Sequence, residues 1–189
     1  MITLIEIFRL LLMTAAIGYI FSVSIKYTGP YDPLVQPQKN YWEGIKLGIL
    51  AAAPAVVLHE MAHKFVALAF GLQAEFFASY FGLALGVVLR AISSPILIFI
   101  PGYVQIVGAT PLQSAITAFV GPLMNGALWL ASFLILKYAK NLNEKTILIL
   151  TISRKINGLL FWFNLIPIPP FDGGHVAQGL IEMFKASSA

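Results

Sequence analysis

Two histidines stand four positions apart in the segment His59-Glu60-Met61-Ala62-His63. On a helix, residues i and i+4 face the same way, so both imidazoles can bind one metal ion. Glu60 lies next to His59, close enough to take a proton from a water molecule that such an ion activates, without being a ligand itself. The spacing therefore predicts a metal site with a carboxylate base beside it. The alternative is a pair of interior histidines satisfied by hydrogen bonds.

This segment lies inside a mostly apolar run, Ile45 to Leu72, which is long enough to cross a bilayer as a helix. An ionisable side chain near the bilayer centre costs several kcal/mol and by default indicates a functional site. The chain has only three histidines, and two of them are in this segment. We therefore interpret them as functional groups.

The composition predicts a membrane protein. Hydrophobic residues make up 59% of the chain and charged residues 11%, against about 25% charged in an average soluble domain. Most of the chain is therefore expected to face lipid. We predict a multi-pass protein of the cell membrane in which residues 1–189 form a single membrane-embedded domain. The net charge of +4 is spread without a Lys/Arg block, so nucleic acid is not a predicted partner.

The chain has no cysteine, so a zinc ion here must be held by His, Asp or Glu. Structural zinc sites are usually closed by four protein ligands, often cysteines, whereas catalytic sites use three and keep the fourth position open. The absence of cysteine therefore favours a site of the catalytic type.

We predict an all-α polytopic membrane protein with about four transmembrane helices plus a short membrane-associated strand or re-entrant element. The first transmembrane helix is placed within residues 1–28, because Ile2 to Ile25 is almost entirely apolar. Arg154 and Lys155 interrupt the last apolar run, so that helix either starts near Arg154 or turns the two side chains to a polar interior. The other predicted segments are a loop at Thr28–Tyr41, the His59 helix ending near Gly71, and helices at Ser114–Tyr138 and Thr146–Phe163.

The stretch from Gly82 to Val107 is apolar enough to span, but Arg90, Pro95 and Pro101 interrupt it. Its second piece, from Ile96 to Val107, is rich in Ile, Val and aromatic residues, which favours a strand. Broken backbone at membrane depth is tolerated only when it is packed in protein or lines a cavity. We therefore prefer a partly embedded strand or re-entrant element to a fifth spanning helix.

A zinc ion needs a third protein ligand, and most carboxylates are poor candidates. One residue step turns Glu60 about 100° away from His59 on a helix. Glu6, Asp32 and Glu75 are near predicted membrane interfaces, where ordinary solvated roles are expected.

Asp172 differs because it lies in a segment broken by prolines and followed by two glycines, which would let its backbone approach a neighbouring helix closely. Spacing alone favours neither of two roles for the Asp172 side chain, metal ligand or helix N-cap. His175, three residues on, is a rival ligand or a group that hydrogen-bonds to a ligand.

Three motifs together resemble the site-2 protease family of intramembrane zinc metalloproteases, which cleave transmembrane substrates. They are H-E-M-A-H at 59–63, G-P-L-M-N at 121–125 and N-L-I-P-I-P-P-F-D-G-G-H at 164–175. The resemblance covers roughly Ile45 to Phe184, so residues 45–184 are taken as the catalytic core. No PDZ or CBS domain is recognised, so the similarity is to the bare membrane core of the family.

The resemblance implies that His59, His63 and Asp172 bind one Zn²⁺ per chain and that Glu60 is the general base. It implies that Asn164 holds the substrate or the developing oxyanion, and that transmembrane proteins are the substrates. Phe171 stands where family members often have Leu, which replaces one apolar residue by another.

Two other classes of protein are alternatives. A membrane metal or proton transporter would also place His, Glu and Asp at mid-membrane near broken helices, but it usually has internal repeats, and none is visible. A scaffold that binds transmembrane partners without cutting them is disfavoured by the intact Glu60. For a protease, the strand around Ile98–Ile106 would offer an edge for an unwound substrate; otherwise it would only plug the bundle.

Overall fold

A computed structural model describes residues 1–22, 41–96 and 100–187. The predicted loop at Thr28–Tyr41, apart from Tyr41 itself, lies outside the described residues, as do Asp32 and positions 97–99. The described elements, in chain order, are α1 (Leu4–Phe21), α2 (Tyr41–Ala69), β1 (Gln73–Ala78), α3 (Tyr80–Ala91), β2 (Gly102–Val107), α4 (Pro111–Tyr138), α5 (Glu144–Asn164) and α6 (Asp172–Ser187).

Helices α1, α2, α4 and α5 are each long and apolar enough to cross a membrane. Many large apolar side chains point outward from them, among them Leu11, Trp129, Leu159 and Trp162. An apolar surface this extensive suits lipid rather than water. The predicted fold class, four spanning helices with a small strand element, is therefore confirmed.

The predicted end of the His59 helix is also confirmed. Gly71 has φ +73°, and the backbone N–H groups of Gly71 and Leu72 donate to the carbonyls of Leu68 and Ala67. This is the Schellman arrangement, in which a glycine in the left-handed region satisfies the last carbonyls of a helix. It turns the chain sharply from α2 into β1.

Two helices begin earlier than predicted because of their caps. Thr110 and Gln113 form a reciprocal capping box at the start of α4. Asn143 caps α5, whose start at Glu144 shows that a start near Arg154 was wrong. The polar-interior alternative is wrong as well, because Lys155 is exposed and the Arg154 guanidinium lies 5.9 Å from the centre of the Phe133 ring.

Between Gly82 and Val107, the described residues form no helix long enough to span the membrane. They form most of the short helix α3 and then β2, which confirms a strand element; β2 occupies the last six residues of the predicted piece. Its antiparallel partner β1 was not predicted. The register pairs Ala74 with Ile106 and Phe76 with Val104.

Helix α2 is central to the bundle. It packs against α1 on one side and against α4 and α5 on another, and both strands contact it. Helix α6 packs on α4. Consequently α4 and α6 can bring side chains to one face of α2, while α1 and β1 cover a different face.

Candidate metal centre

The two motif histidines lie together on α2, facing α4. Each side chain is 9% exposed. Their Nε2 atoms are 3.1 Å apart, and the rings meet edge to face with centroids 4.7 Å apart. The helical spacing thus brings both imidazoles to one point, as predicted.

Two hydrogen-bond acceptors on α4 decide which ring nitrogens of His59 and His63 carry protons. His63 Nδ1 lies 2.6 Å from the carbonyl oxygen of Thr117, and His59 Nδ1 lies 2.6 Å from the amide oxygen of Asn125. Both partners only accept hydrogen bonds, so each Nδ1 must donate. Each Nε2 is then the nitrogen with a lone pair for a metal.

Asp172 completes the group. Its Oδ2 lies 3.1 Å from His59 Nε2 and 3.5 Å from His63 Nε2. This oxygen is buried and has no hydrogen-bond partner among the described residues. A buried unpartnered carboxylate oxygen facing two lone pairs is costly unless a cation lies between them. The carboxylate makes no hydrogen bond to the described amides of α6, which disfavours the N-cap alternative.

The three donor atoms fit zinc. Ligand distances of about 2.0–2.2 Å and tetrahedral angles place neighbouring ligand atoms about 3.3 Å apart, and the separations here are 3.1, 3.1 and 3.5 Å. An ionised carboxylate and two neutral imidazoles are the forms of these side chains that bind metal.

Two glycines allow Asp172 to take this position. A Cβ on Gly173 would lie 2.5 Å from the carbonyl oxygen of Leu165, and one on Gly174 would lie 2.7 Å from the carbonyl carbon of Ile168. The glycines therefore let α6 start tightly against the segment that precedes it. The nearest contact of Gly173 is Leu165, the residue that caps the C-terminus of the neighbouring helix α5.

Gly121 allows α4 to lie directly on the two imidazoles. A Cβ at this position would overlap the His63 ring and would lie 2.8 Å from His59 Cε1. Since each ring is also held by a hydrogen bond from its Nδ1 to α4, the rings cannot easily move away. Any side chain at position 121 would displace the two imidazole rings.

The remaining predicted residues are placed differently. Glu60 is buried on the same turn of α2 as His59, and no hydrogen bond from another described residue engages its carboxylate. Asn164 is the last residue of α5, and among the described residues no hydrogen bond joins its side chain to the three converging side chains. His175 is exposed and is not part of the group.

Three further residues support the site without having been predicted to do so: Asn125, Thr117 and Asn157. Asn125 and Asn157 are fully buried amides in spanning helices, and a polar side chain within a predicted span is a signal that could have marked them. The Thr117 contribution is a backbone carbonyl, which no sequence pattern marks. The expectation of a solvated role for Glu6 was also wrong, since its side chain is 1% exposed.

A polytopic helical membrane protein with two imidazoles and a carboxylate converging beside a buried glutamate belongs to the class of membrane metallopeptidases. The family model described as peptidase family M50 matches residues 47–154 and 135–188. The chain therefore belongs to this family, the site-2 protease family.

A relative from Methanocaldococcus jannaschii, named "Putative zinc metalloprotease MJ0611", is 35% identical over 134 residues. The alignment covers 70% of this chain and 69% of the relative. No solved structure matches the chain. Neither the family nor the relative supports the transporter alternative.

Proposed function

We propose that this metallopeptidase carries out zinc-dependent intramembrane proteolysis, hydrolysing peptide bonds within or near transmembrane segments of other proteins in the cell membrane. The observation that carries the proposal is the convergence of one donor atom each from His59, His63 and Asp172, all within 3.5 Å of one another, inside a bundle of spanning helices. A site built for soluble substrates would not need to be held among lipid-facing helices.

The three converging side chains would hold one zinc ion, leaving its fourth position open. The chemistry that zinc supplies when bound is Lewis acidity, which lowers the pKa of water to about 7 and polarises the scissile carbonyl. Glu60 would take the proton from the attacking water and pass it to the leaving amine. The Asn164 amide would donate to the oxyanion, a contact worth about 2.7–4 kcal/mol where such donors have been removed.

A transmembrane substrate must unwind before it is cut, and its freed backbone groups then need partners. The two-stranded sheet has two outer edges, and the β1 edge is closed by side chains. Phe76 donates its N–H to Glu6 at 2.8 Å, and its carbonyl accepts from Arg9 at 2.8 Å. The carbonyl of Ala74 accepts from Lys64 at 2.9 Å.

Among the described residues, no hydrogen bond closes the outer edge of β2. The Phe76 N–H and C=O point away from β2, so the pair Phe76–Val104 is of the non-hydrogen-bonded kind, and Val104 points its own backbone groups outward. Ile106, two residues on, does the same. We propose that an unwound substrate pairs with this edge as an added strand. The strand β2 also contacts α2, the helix that carries two of the proposed ligands.

The test is cleavage of a purified single-span protein by purified enzyme in liposomes, with the cut position read by mass spectrometry. One substrate places a labelled sequence in its membrane span, and a matched one places the same sequence in its soluble flank. We expect zinc-dependent cleavage in the span only, lost with a chelator and restored by zinc, and absent in His59→Ala and His63→Ala.

Two results would contradict the proposal. Cleavage that persists in both histidine variants would remove the metal site from the reaction. Zinc transport into sealed liposomes without any cleavage would instead favour the transporter alternative.

A further inference from the structure

A row of hydrogen-bonded buried amides, which we call the amide chain, runs from Asn157 on α5 through Asn125 on α4 to His59 on α2. Asn157 donates from Nδ2 to the carbonyl and the hydroxyl oxygen of Ser153, at 2.9 and 3.1 Å. Its Oδ1 accepts from Asn125 Nδ2 at 2.9 Å. Asn125 also donates to the carbonyl of Ala55 at 2.8 Å, and its Oδ1 faces His59 Nδ1 at 2.6 Å.

Two backbone carbonyls, those of Ser153 and Ala55, set the direction in which every hydrogen bond of the amide chain is donated. The Ser153 carbonyl only accepts, so the NH₂ group of Asn157 must face it and the oxygen must face Asn125. The NH₂ group of Asn125 then has an acceptor for each of its two protons, the Ala55 carbonyl and the Asn157 oxygen. The Asn125 oxygen is left for His59, where it can accept only from a protonated Nδ1.

Flipping either amide would be costly. A flipped Asn125 would point its oxygen at two other acceptors and its NH₂ group at His59, in a place where both asparagines have no exposed surface. Buried groups facing like groups lose their hydrogen bonds without replacement by water. His63 needs no such chain, because its Nδ1 is held directly by the α4 backbone at Thr117.

We infer that Asn157 is a positioning residue for the metal centre, acting through Asn125 to fix the orientation and the Nδ1–H tautomer of His59. Helix α5, which contributes none of the three converging side chains, thereby contributes to metal affinity. The inference rests on the proposed zinc site. Groups that hydrogen-bond to metal-binding histidines typically change metal affinity by about 10- to 100-fold when mutated.

The test measures zinc affinity by chelator competition, and coordination geometry by the visible spectrum of the Co²⁺-substituted protein. We expect Asn125→Leu to weaken zinc binding by roughly 10- to 100-fold and Asn157→Leu by roughly 10-fold, both with altered Co²⁺ spectra. Asn157→Asp should bind zinc nearly as wild type, because a protonated Asp can donate to the Ser153 carbonyl and still accept from Asn125. A role in packing alone predicts the reverse order, since Leu suits an apolar interior better than Asp.

The matched control is Ser132→Ala. It removes another buried polar group from α4 but leaves the hydrogen bonds of the amide chain intact. Melting of each variant without metal shows whether it folds, and Asn157→Asp, nearly isosteric with Asn, keeps the test open should a leucine variant fail to fold. Wild-type zinc affinity and Co²⁺ spectrum in Asn125→Leu and Asn157→Leu would overturn the inference, as would Asp binding zinc more weakly than Leu at position 157. Stoichiometric zinc in His59→Ala would instead refute the zinc site itself.

Discussion

Lys64, the residue directly after His63, forms a buried ion pair with Glu6 at the start of α1, and both side chains are 1% exposed. The pair also binds the edge of β1, through the Ala74 carbonyl and the Phe76 N–H. One pair of charges therefore joins the first helix, the metal-site helix and the sheet. Breaking a buried pair leaves one charge without compensation, whereas replacing both partners does not.

We predict that Glu6→Gln and Lys64→Met each lower the free energy of unfolding by about 3–5 kcal/mol, and that the double variant recovers part of the loss. Unfolding in detergent micelles measures this. The matched control is Lys46→Met, which breaks the exposed pair with Glu43 and should leave stability unchanged. Equal stability of the single and double variants would contradict the prediction.

Gly121→Ala should abolish zinc binding while the bundle still forms, because the added methyl group would overlap the His63 ring. Gly126→Ala is the matched control on the same helix. Its Cβ would meet the Phe161 ring at 3.1 Å, away from the ligands, so zinc binding should persist. Zinc content and circular dichroism of both variants check this, and full zinc content in Gly121→Ala would show that the ring positions differ from those described.

Asp172→Asn should weaken zinc binding and remove proteolysis, because the variant loses a ligand charge. A helix cap would tolerate the change, since Asn caps about as well as Asp. His175→Ala, at an exposed position outside the group, should keep zinc. If His175→Ala loses zinc and Asp172→Asn retains it, the third ligand has been assigned to the wrong residue.

Glu60→Gln should bind one zinc per chain and lose hydrolysis by several orders of magnitude, because the amide cannot take a proton from water. Zinc content and single-turnover cleavage measured on the same preparation separate the two effects. Loss of zinc in this variant would make Glu60 a ligand, and retained cleavage would require another base.

Val104→Pro should raise KM for a transmembrane substrate without changing zinc affinity, because proline removes an N–H from the proposed β2 edge. Val104→Ala keeps that N–H and serves as the control. Wild-type KM in the proline variant would show that substrates do not pair with this strand.

Local sequence patterns by themselves determine the two histidines of the site and the spanning helices. These patterns are the spacing of His59 and His63, the apolar runs and the broken segment before Asp172. Helical periodicity places i and i+4 residues on one face, and the bilayer requires long apolar helices, so the two histidines and the four spans follow from local rules. Gly71 is likewise a local signal, because a helix end in the left-handed region favours glycine.

Only the tertiary structure decided how distant residues meet. Spacing left Asp172 equally suited to a ligand or a cap, and the choice depends on α6 packing against α4 and turning that carboxylate toward α2. The burial of Glu6, the pairing of β1, and the amide chain from Asn157 through Asn125 to His59 likewise join residues 24 to 70 positions apart. Such contacts depend on which helix faces which, and no local periodicity encodes that choice.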